Sequence, residues 1–249
     1  MIKLFRKIRQ DLITENKFSK YILYAIGEII LVVIGILIAL QINVWNQNRL
    51  AVNEEQAILK NMHTEFLQNR ESLKVAVLGS EAASNSGKIL FNLIGKQREE
   101  IKKHNIDSLF FISLDTGSFR PSENTISDLL QSGRLQILKN SNLKDLLHLW
   151  ARNMKDYEST QNRTEIKIDD ELIPYLTEKY SMKDIDMYGR LNWTVKTQLN
   201  IDKLQVFEDI KFENILDDYL FRCSGNRNNL NELEKILGTI IKETRSQND

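Results

Sequence analysis

The sequence contains little cysteine, proline or glycine, and it carries no net charge. Of its 249 residues, one is cysteine, two are proline and ten are glycine. The single cysteine, Cys223, excludes a disulfide within one chain and a cysteine-based zinc site. So few prolines and glycines favour long helices over a many-stranded sheet. The 34 basic residues balance the 34 acidic residues, so no basic excess indicates nucleic acid as a partner.

Long apolar runs are absent except for one, which covers residues 21–45 and reads YILYAIGEIILVVIGILIALQINVW. A helix rises about 1.5 Å per residue, so this run is long enough to cross a hydrocarbon core about 30 Å thick. Tyr21 and Tyr24 lie at one end and Trp45 at the other, where amphipathic rings anchor a helix at the membrane interface. The run is therefore predicted to be a transmembrane helix.

A cleaved signal peptide is the nearest alternative for this run. Such a peptide has a shorter apolar region that ends in a small-x-small cleavage site. Here the run ends in the sequence ALQIN, residues 39–43, which is a poor cleavage site. An uncleaved signal anchor fits better, and the apolar length argues against a buried helix of a soluble protein.

The flanking charges predict the orientation of the helix. Residues 1–20 carry six lysines or arginines, whereas the twenty residues after Trp45 carry two. The positive-inside rule then places residues 1–20 in the cytoplasm as a basic juxtamembrane segment, and residues 46–249 on the other side of the membrane.

A glutamate, Glu28, interrupts the apolar run. Glu28, Gly35 and Ala39 fall on one face of a helix, with Gly27 beside it. The pair Gly35-x-x-x-Ala39 lets two helix backbones approach closely. We therefore predict an in-membrane helix contact in which Glu28 hydrogen-bonds to a partner helix. The alternative is a glutamate that the bilayer tolerates because the side chain reaches the nearby interface.

Three stretches resemble an uncharacterised family of bacterial single-span membrane proteins, a domain of unknown function. The first, ENKFSKYILYAIGEIILVVIGILIALQINVWNQNR at residues 15–49, is similar to the N-terminal signature of the family and includes its Gly-Glu-Ile motif at Glu28. Residues 125–150 resemble its pattern of helix, Ser-Gly turn and Leu-rich helix, and residues 209–220 resemble its Phe-Glu-Asn helix. The resemblance implies a membrane-anchored helical protein of bacteria with two membranes, and no activity.

Apolar spacing after the membrane segment predicts an all-α fold, an elongated antiparallel helical bundle. The first helix is predicted to continue past Trp45, because a stripe at helical spacing follows it. The members of this stripe are Val52, Leu59, Met62, Phe66, Asn69, Leu73 and Ala76. Gly79 and the small residues 82–87 predict a break, followed by a helix over residues 89–101 and a loop with strand character over residues 109–120.

Three more helices are predicted further along the chain. A short one begins at Pro121 and Ser122 and ends at Ser132-Gly133, because glycine is typical of helix C-termini. The next is capped by Asn140 or Ser141, and Pro174 ends or kinks it. The last covers residues 209–245, where Gly225 is expected to bend it. The apolar positions of the last two are Leu143, Leu147, Trp150, Met154, Tyr157, Ile168, Phe212, Leu216, Tyr219, Leu230, Leu233, Leu237 and Ile240.

Motifs that carry chemistry are few. Asp115-Thr116-Gly117-Ser118 is similar to the active-site tetrapeptide of aspartic proteases, whose chemistry needs two carboxylates that share a proton. The chain has one such motif, so a homodimer would have to supply the second. The three histidines are scattered, and Asp145-x-x-His148 is a single imperfect copy of a di-iron motif. No catalytic, cofactor or metal site is therefore predicted.

These patterns leave three hypotheses for the function. The leading one is a non-enzymatic binding or scaffold component of the bacterial cell envelope. It would be a single-pass inner-membrane protein with a periplasmic helical domain. Its partners would be the lipid bilayer, a second copy in a homo-oligomer or another envelope membrane protein, and not nucleic acid. The second is a periplasmic ligand-sensing bundle that acts through a separate partner. The remote third is an aspartic peptidase that uses Asp115.

Overall fold

A computed structural model describes residues 18–245 of the chain, and their side chains from Ile22 onward. Most of the predicted juxtamembrane segment, residues 1–17, lies outside the described residues. The chain divides into two compact units, residues 1–57 and residues 58–249. Within residues 18–245 the regular structure is entirely helical and includes no strand. The predicted all-helical class is therefore confirmed.

Helix α1 runs without interruption from Phe18 to Asn92 and so contributes to both units. The predicted break at Gly79 and residues 82–87 is wrong, and so is the separate helix over residues 89–101. Small residues in this stretch allow close packing instead. A Cβ atom at Gly87 would lie 2.9 Å from the Tyr219 ring. Tertiary contact therefore overrides the weak helix propensity of glycine and serine.

In the first unit, α1 is apolar on all its sides over residues 29–40. Its most apolar 18-residue window has a mean hydropathy of 2.7, and none of that window is buried inside the protein. By length and composition this part of α1 can cross a membrane, although a core helix of a soluble protein or a signal sequence has the same length and composition.

The second unit continues from α1 through shorter helices to a long final one. The α-helices after α1 are α2 (Arg98–Ile101), α3 (Ile106–Leu114), α4 (Asn124–Gln131), α5 (Ser141–Lys167), α6 (Ile173–Lys179), α7 (Met182–Ile185) and α8 (Ile210–Thr244). One π-helical turn joins α5 to α6, and the 3₁₀ turns are Arg134–Ile137, Asp186–Tyr188 and Gln205–Glu208.

Several predicted boundaries need correction. The stretch predicted as a loop with strand character contains most of α3, because a short buried apolar run reads the same in a helix and a strand. The short helix, α4, begins at Asn124 rather than at Pro121. In its first turn, the Thr125 N–H donates a hydrogen bond to the Glu65 carboxylate at 3.0 Å. Helical structure continues from α5 through the π turn, Ile168–Leu172, into α6, where Pro174 lies in the first turn, so the predicted end at Pro174 is wrong and a kink there stays a prediction. Helix α8 is continuous through Gly225, and the predicted bend there stays a prediction.

Two helix ends agree with the prediction. The Asn140 side chain caps α5 by accepting a hydrogen bond from the Leu143 N–H at 3.2 Å. Gly133 has a φ of +71°, so it adopts the left-handed conformation after α4, which glycine adopts without strain.

The core of the second unit consists of two apolar clusters. The first lies between α1, α4, α5 and α8, and the second lies among the end of α1, α3, α6, α7 and the first half of α8. Every apolar position predicted for α5 and α8, and Ile168 after α5, is buried. On α1, the stripe from Met62 to Ala76 is buried as predicted, but Val52 is exposed.

Candidate functional site

The predicted in-membrane contact residues all lie in α1. Gly27, Gly35 and Ala39 are exposed, and Glu28 is half-buried. A Cβ atom added at Gly27 or Gly35 would meet no atom of the described part of the chain within 4 Å. The fold of a single chain therefore does not require glycine at either position, which makes both positions suitable for testing a contact with another helix.

The predicted interface residues are also in α1. The Trp45 ring is exposed, and the Arg49 guanidinium lies over it at 5.3 Å from the ring centroid. Tyr24 is half-buried, and the side chain of Tyr21 lies outside the described residues. An aromatic ring beside a cation is typical of the headgroup region of a membrane.

The Asp-Thr-Gly-Ser motif forms a turn that packs against α1. The Asp115 carboxylate accepts a hydrogen bond from the Gly117 N–H at 3.2 Å, as in many turns that begin with aspartate. Gly117 has a φ of +64°, and a Cβ there would lie 2.9 Å from the Ala76 carbonyl oxygen. A Cβ at Gly79 would in turn lie 3.1 Å from the Gly117 Cα. The hydrogen bond of the turn thus accounts for the aspartate, and close packing against α1 accounts for both glycines.

Two cavities flank this turn along α5. Their volumes are about 340 Å³ and 200 Å³, and they share Ser118, Gln161 and Glu165 as lining residues. The Gln161 amide donates a hydrogen bond to the Glu165 carboxylate at 2.8 Å and accepts one from Asn226. The walls are therefore rich in amide and carboxylate groups.

A buried ionic cluster lies at the second core cluster, and its members are Asp107, Tyr180, Asp184, Lys196 and Lys203. We call it the Asp107 cluster. The Asp107 side chain is only 4% exposed. It accepts hydrogen bonds from Lys203 at 2.7 Å, from Lys196 at 2.8 Å and from the Tyr180 hydroxyl at 2.7 Å. Lys203 also pairs with Asp184, which is buried as well.

The charges of the Asp107 cluster stabilise one another. Burial raises the pKa of Asp107, but hydrogen bonds from Lys196, Lys203 and Tyr180 outweigh burial, so the net pKa is lowered. The pKa of Asp184 is lowered in the same way, against burial, by hydrogen bonds from Lys203 and the Thr197 N–H. Burial raises the pKa of Tyr180, and its hydrogen bond to Asp107 raises it further. The carboxylates are therefore ionised and Tyr180 is neutral near pH 7.

The Asp107 cluster fixes the loop that covers residues 189–204. Asp107 and Asp184 come from α3 and α7, whereas Lys196 and Lys203 come from the loop. The Thr197 N–H donates a hydrogen bond to Asp184 at 2.7 Å. A long segment without regular structure is thus held at two points by buried carboxylates.

Sequence reasoning did not find the Asp107 cluster. Its members are spread over almost a hundred positions and form no motif. One available signal was a single aspartate in the apolar run IDSLFFISL, because a carboxylate in such a run must find a partner when the helix is buried.

Histidine, cysteine, aspartate and glutamate side chains do not form a group of three that could hold a metal ion anywhere in the described part of the chain.

Comparisons with models of protein families, with curated proteins and with solved structures give no match to this chain.

Proposed function

We propose that this chain is a single-pass protein of the bacterial inner membrane that acts as a binding or scaffold component of the cell envelope, without catalysis. Residues 1–20 lie in the cytoplasm, residues 21–45 cross the bilayer, and residues 46–249 lie in the periplasm. This assignment includes membership of the uncharacterised single-span family that residues 15–49 resemble.

One observation carries the proposal. Apolar side chains are exposed at every turn of α1 from Ile22 to Val44. Such a surface is unstable in water, and a helix that is apolar on all sides requires an apolar environment on all sides. A bilayer supplies that environment, whereas a single partner helix would cover only one face. The excess of basic residues before the span supports a cytoplasmic N-terminus.

We further propose that the second unit forms an antiparallel helical bundle. Asn140, at the start of α5, donates a hydrogen bond at 2.7 Å to Glu243, near the end of α8. Lys167, at the end of α5, pairs at 2.9 Å with Asp218, near the start of α8. His63 of α1 contacts Thr244 at 3.1 Å. These three contacts support an α8 that runs antiparallel to α1 and to α5.

Within the membrane, we propose that two copies pair through the face that contains Glu28, Gly35 and Ala39, with Gly27 beside it. Small residues let the two backbones approach, and a hydrogen-bonded Glu28 costs less inside a helix pair than in lipid. A heterologous envelope protein with a complementary helix is the other partner that this face would fit.

The Gly35→Leu variant tests this contact. A Cβ at Gly35 meets no atom of the described residues within 4 Å, so the larger side chain should leave the monomer intact and separate the pair. We expect crosslinked dimers of the full-length protein in membranes to be largely lost. Glu28→Leu, which removes the polar group at similar size, should weaken pairing by about 1 kcal/mol, the usual value of one interhelical hydrogen bond in a membrane.

Leu37→Phe is the matched control, because position 37 lies on the opposite side of the helix from Glu28. This variant should pair like the natural protein. The contact is refuted if Gly35→Leu and Glu28→Leu both keep the natural oligomeric state and the natural set of crosslinked partners.

A second candidate function is ligand sensing through a separate partner. The cavity of about 340 Å³ between α5 and the segment that includes Ser118, Arg120 and Glu123 supports this candidate. Cavities of this size take small molecules. The amide and carboxylate lining fits a polar ligand with hydrogen-bond donors.

A further inference from the structure

The two cavities beside the turn at residues 115–118 are strongly acidic. Five carboxylates and one guanidinium line them. The carboxylates belong to Asp115, Glu123, Glu158, Glu165 and Asp169, and the guanidinium belongs to Arg120. Within the described part of the chain, these carboxylates form no ion pair closer than 4 Å. The cavity walls therefore carry negative charge that the described side chains do not neutralise.

The surrounding segments do not restore the charge balance. Residues 114–123 and 154–172 supply the whole lining, and together they contain eight acidic and four basic residues. Basic side chains of α8 near these segments already have carboxylate partners, in the pairs Arg222–Asp218 and Arg227–Glu81. A cleft lined by charges of one sign raises the local concentration of ligands of the opposite sign. The cavities therefore favour a cation.

The carboxylates are spread over both cavities rather than gathered at one point. Glu123 and Glu158 line the larger cavity. Asp115 and Asp169 line the smaller one, and Glu165 lines both. Such side chains do not form a group that could hold a metal ion within the described residues. The matching positive charge is thus that of an extended molecule, with a cationic group in each cavity.

Hydrogen-bond donors are what the site between the cavities lacks. Gln161, which lines both cavities and is only 7% exposed, donates from its Nε2 to the Glu165 carboxylate at 2.8 Å. Its oxygen accepts a hydrogen bond from Asn226, whose own Oδ1 is buried without a partner among the described residues. A carboxylate accepts about four hydrogen bonds, so Glu165 can accept further donors. An ammonium group supplies three donors and no acceptor.

Buried apolar side chains also line both cavities. Phe119 and Met154 line the larger cavity, where they are 3% and 4% exposed, and Ile168 lines the smaller cavity at 5% exposed. Apolar walls of this kind bury methylene groups favourably. Apolar walls together with carboxylates in each cavity match a hydrocarbon chain that carries several ammonium groups.

We propose that the two cavities together bind a linear aliphatic polyamine, with one ammonium group in each cavity. The methylene chain lies against the apolar walls, and Glu165, which both cavities share, contributes most to binding. The proposal rests on the ligand-sensing candidate, because it names the ligand class of the same site. It does not depend on whether α1 spans a membrane.

Thermal unfolding and titration calorimetry of the full-length protein in a non-ionic detergent test the proposal. The probes are spermidine and putrescine, and the controls are butylamine, 1,4-butanediol and Mg²⁺, all at an ionic strength matched with sodium chloride. We expect both polyamines to raise the Tm, as a ligand of the native state does. They should bind at least about tenfold more tightly than butylamine, because their second ammonium group binds within the same complex.

Two variants locate the site. Glu165→Gln should weaken spermidine binding at least about tenfold, as the loss of a hydrogen bond between charged groups predicts. Asp169→Asn should weaken it by up to about fivefold, the usual effect of one exposed ion pair. The matched control is Asp170→Asn, which removes the same charge from the next residue, an exposed one that lines neither cavity. This control should bind spermidine like the natural protein.

The polyamine assignment is overturned if neither polyamine raises the Tm more than Mg²⁺ does, or if Asp169→Asn and Asp170→Asn weaken binding equally. Crosslinked partners recorded with and without spermidine test the sensing function separately. Spermidine that binds and leaves the partners unchanged would refute sensing and support the ligand class. Butanediol that binds and changes the partners would support sensing and overturn the polyamine assignment.

Discussion

Replacing Asp107 with alanine should lower the free energy of unfolding by about 3 kcal/mol or more, the cost of removing one partner from a buried ion pair. The substitution leaves the Tyr180 hydroxyl buried without an acceptor and leaves Lys203 with Asp184 as its remaining carboxylate. The urea midpoint of the full-length protein in a non-ionic detergent, followed by circular dichroism, measures this loss.

Lys196→Ala is the control for this variant, because it removes a member of the same cluster whose side chain is 60% exposed. Asp107 keeps Lys203 and Tyr180 as hydrogen-bond donors in this variant, so we expect a loss of about 1 kcal/mol, the usual value of one hydrogen bond. Equal midpoints for Asp107→Ala and Lys196→Ala would show that burial of the Asp107 cluster does not contribute as described.

The same cluster predicts that the free energy of unfolding falls at acid pH. The folded-state pKa values of Asp107 and Asp184 lie below their ordinary value of 3.8. Their ionised forms therefore stabilise the native state above about pH 4, and this stabilisation is lost as the pH falls through the lowered pKa values. The Asp107→Ala variant should lose less stability on acidification than the natural protein.

Replacing Trp150 with alanine should lower the free energy of unfolding by about 3–5 kcal/mol, the usual cost of removing a large aromatic core side chain. Trp150 is fully buried in the first core cluster, where its ring contacts Phe66 edge to face at a centroid distance of 5.1 Å. Its indole N–H donates a hydrogen bond to Glu123 at 2.9 Å. The Trp150→Ala variant loses both the ring packing and this hydrogen bond. Urea unfolding measures the combined loss in the free energy of unfolding.

Trp193→Ala provides the matched comparison, since it removes the same side chain from the 189–204 loop, where the ring is 46% exposed. We expect a loss below about 1 kcal/mol, because surface substitutions have small effects. If the two tryptophan variants unfold at the same urea concentration, the first core cluster does not hold the second unit together as described.

Much of the helical architecture could be predicted from the sequence. The apolar positions of α5 and α8 repeat at helical spacing and are buried in the structure. The Asn140 cap and the Gly133 turn have local causes that a sequence shows directly. The unbroken course of α1 could not be predicted, because Gly87 packs against the Tyr219 ring, which lies far away in the sequence.

The Asp107 cluster and the 189–204 loop could not be predicted for the same reason. Asp107 in its apolar run signals a need for a partner, but Lys196 and Lys203 are ordinary in their own segment, and only the fold brings them to Asp107. Residues around Trp193 lack any helical or strand period, so pattern analysis says little about them. The in-membrane face at Glu28 and Gly35 stays a prediction, because its partner would be a second helix.

The orientation of α1 in the membrane is the central claim, and cysteine labelling tests it most directly. Cys223 is buried, and burial raises the pKa of its thiol to about 11. It therefore reacts slowly with maleimides near pH 7, because the thiolate is the reactive form. Single cysteines are introduced at Gln10, before the proposed span, and at the exposed Asn53, after it, with the parent protein as the background control.

Spheroplasts of a bacterium with two membranes are then treated with a membrane-impermeant maleimide, before and after lysis. We predict that Asn53→Cys is labelled in intact spheroplasts and that Gln10→Cys is labelled only after lysis. Labelling of both cysteines only after lysis, or labelling of Gln10→Cys alone in intact spheroplasts, would contradict the proposed single-pass topology.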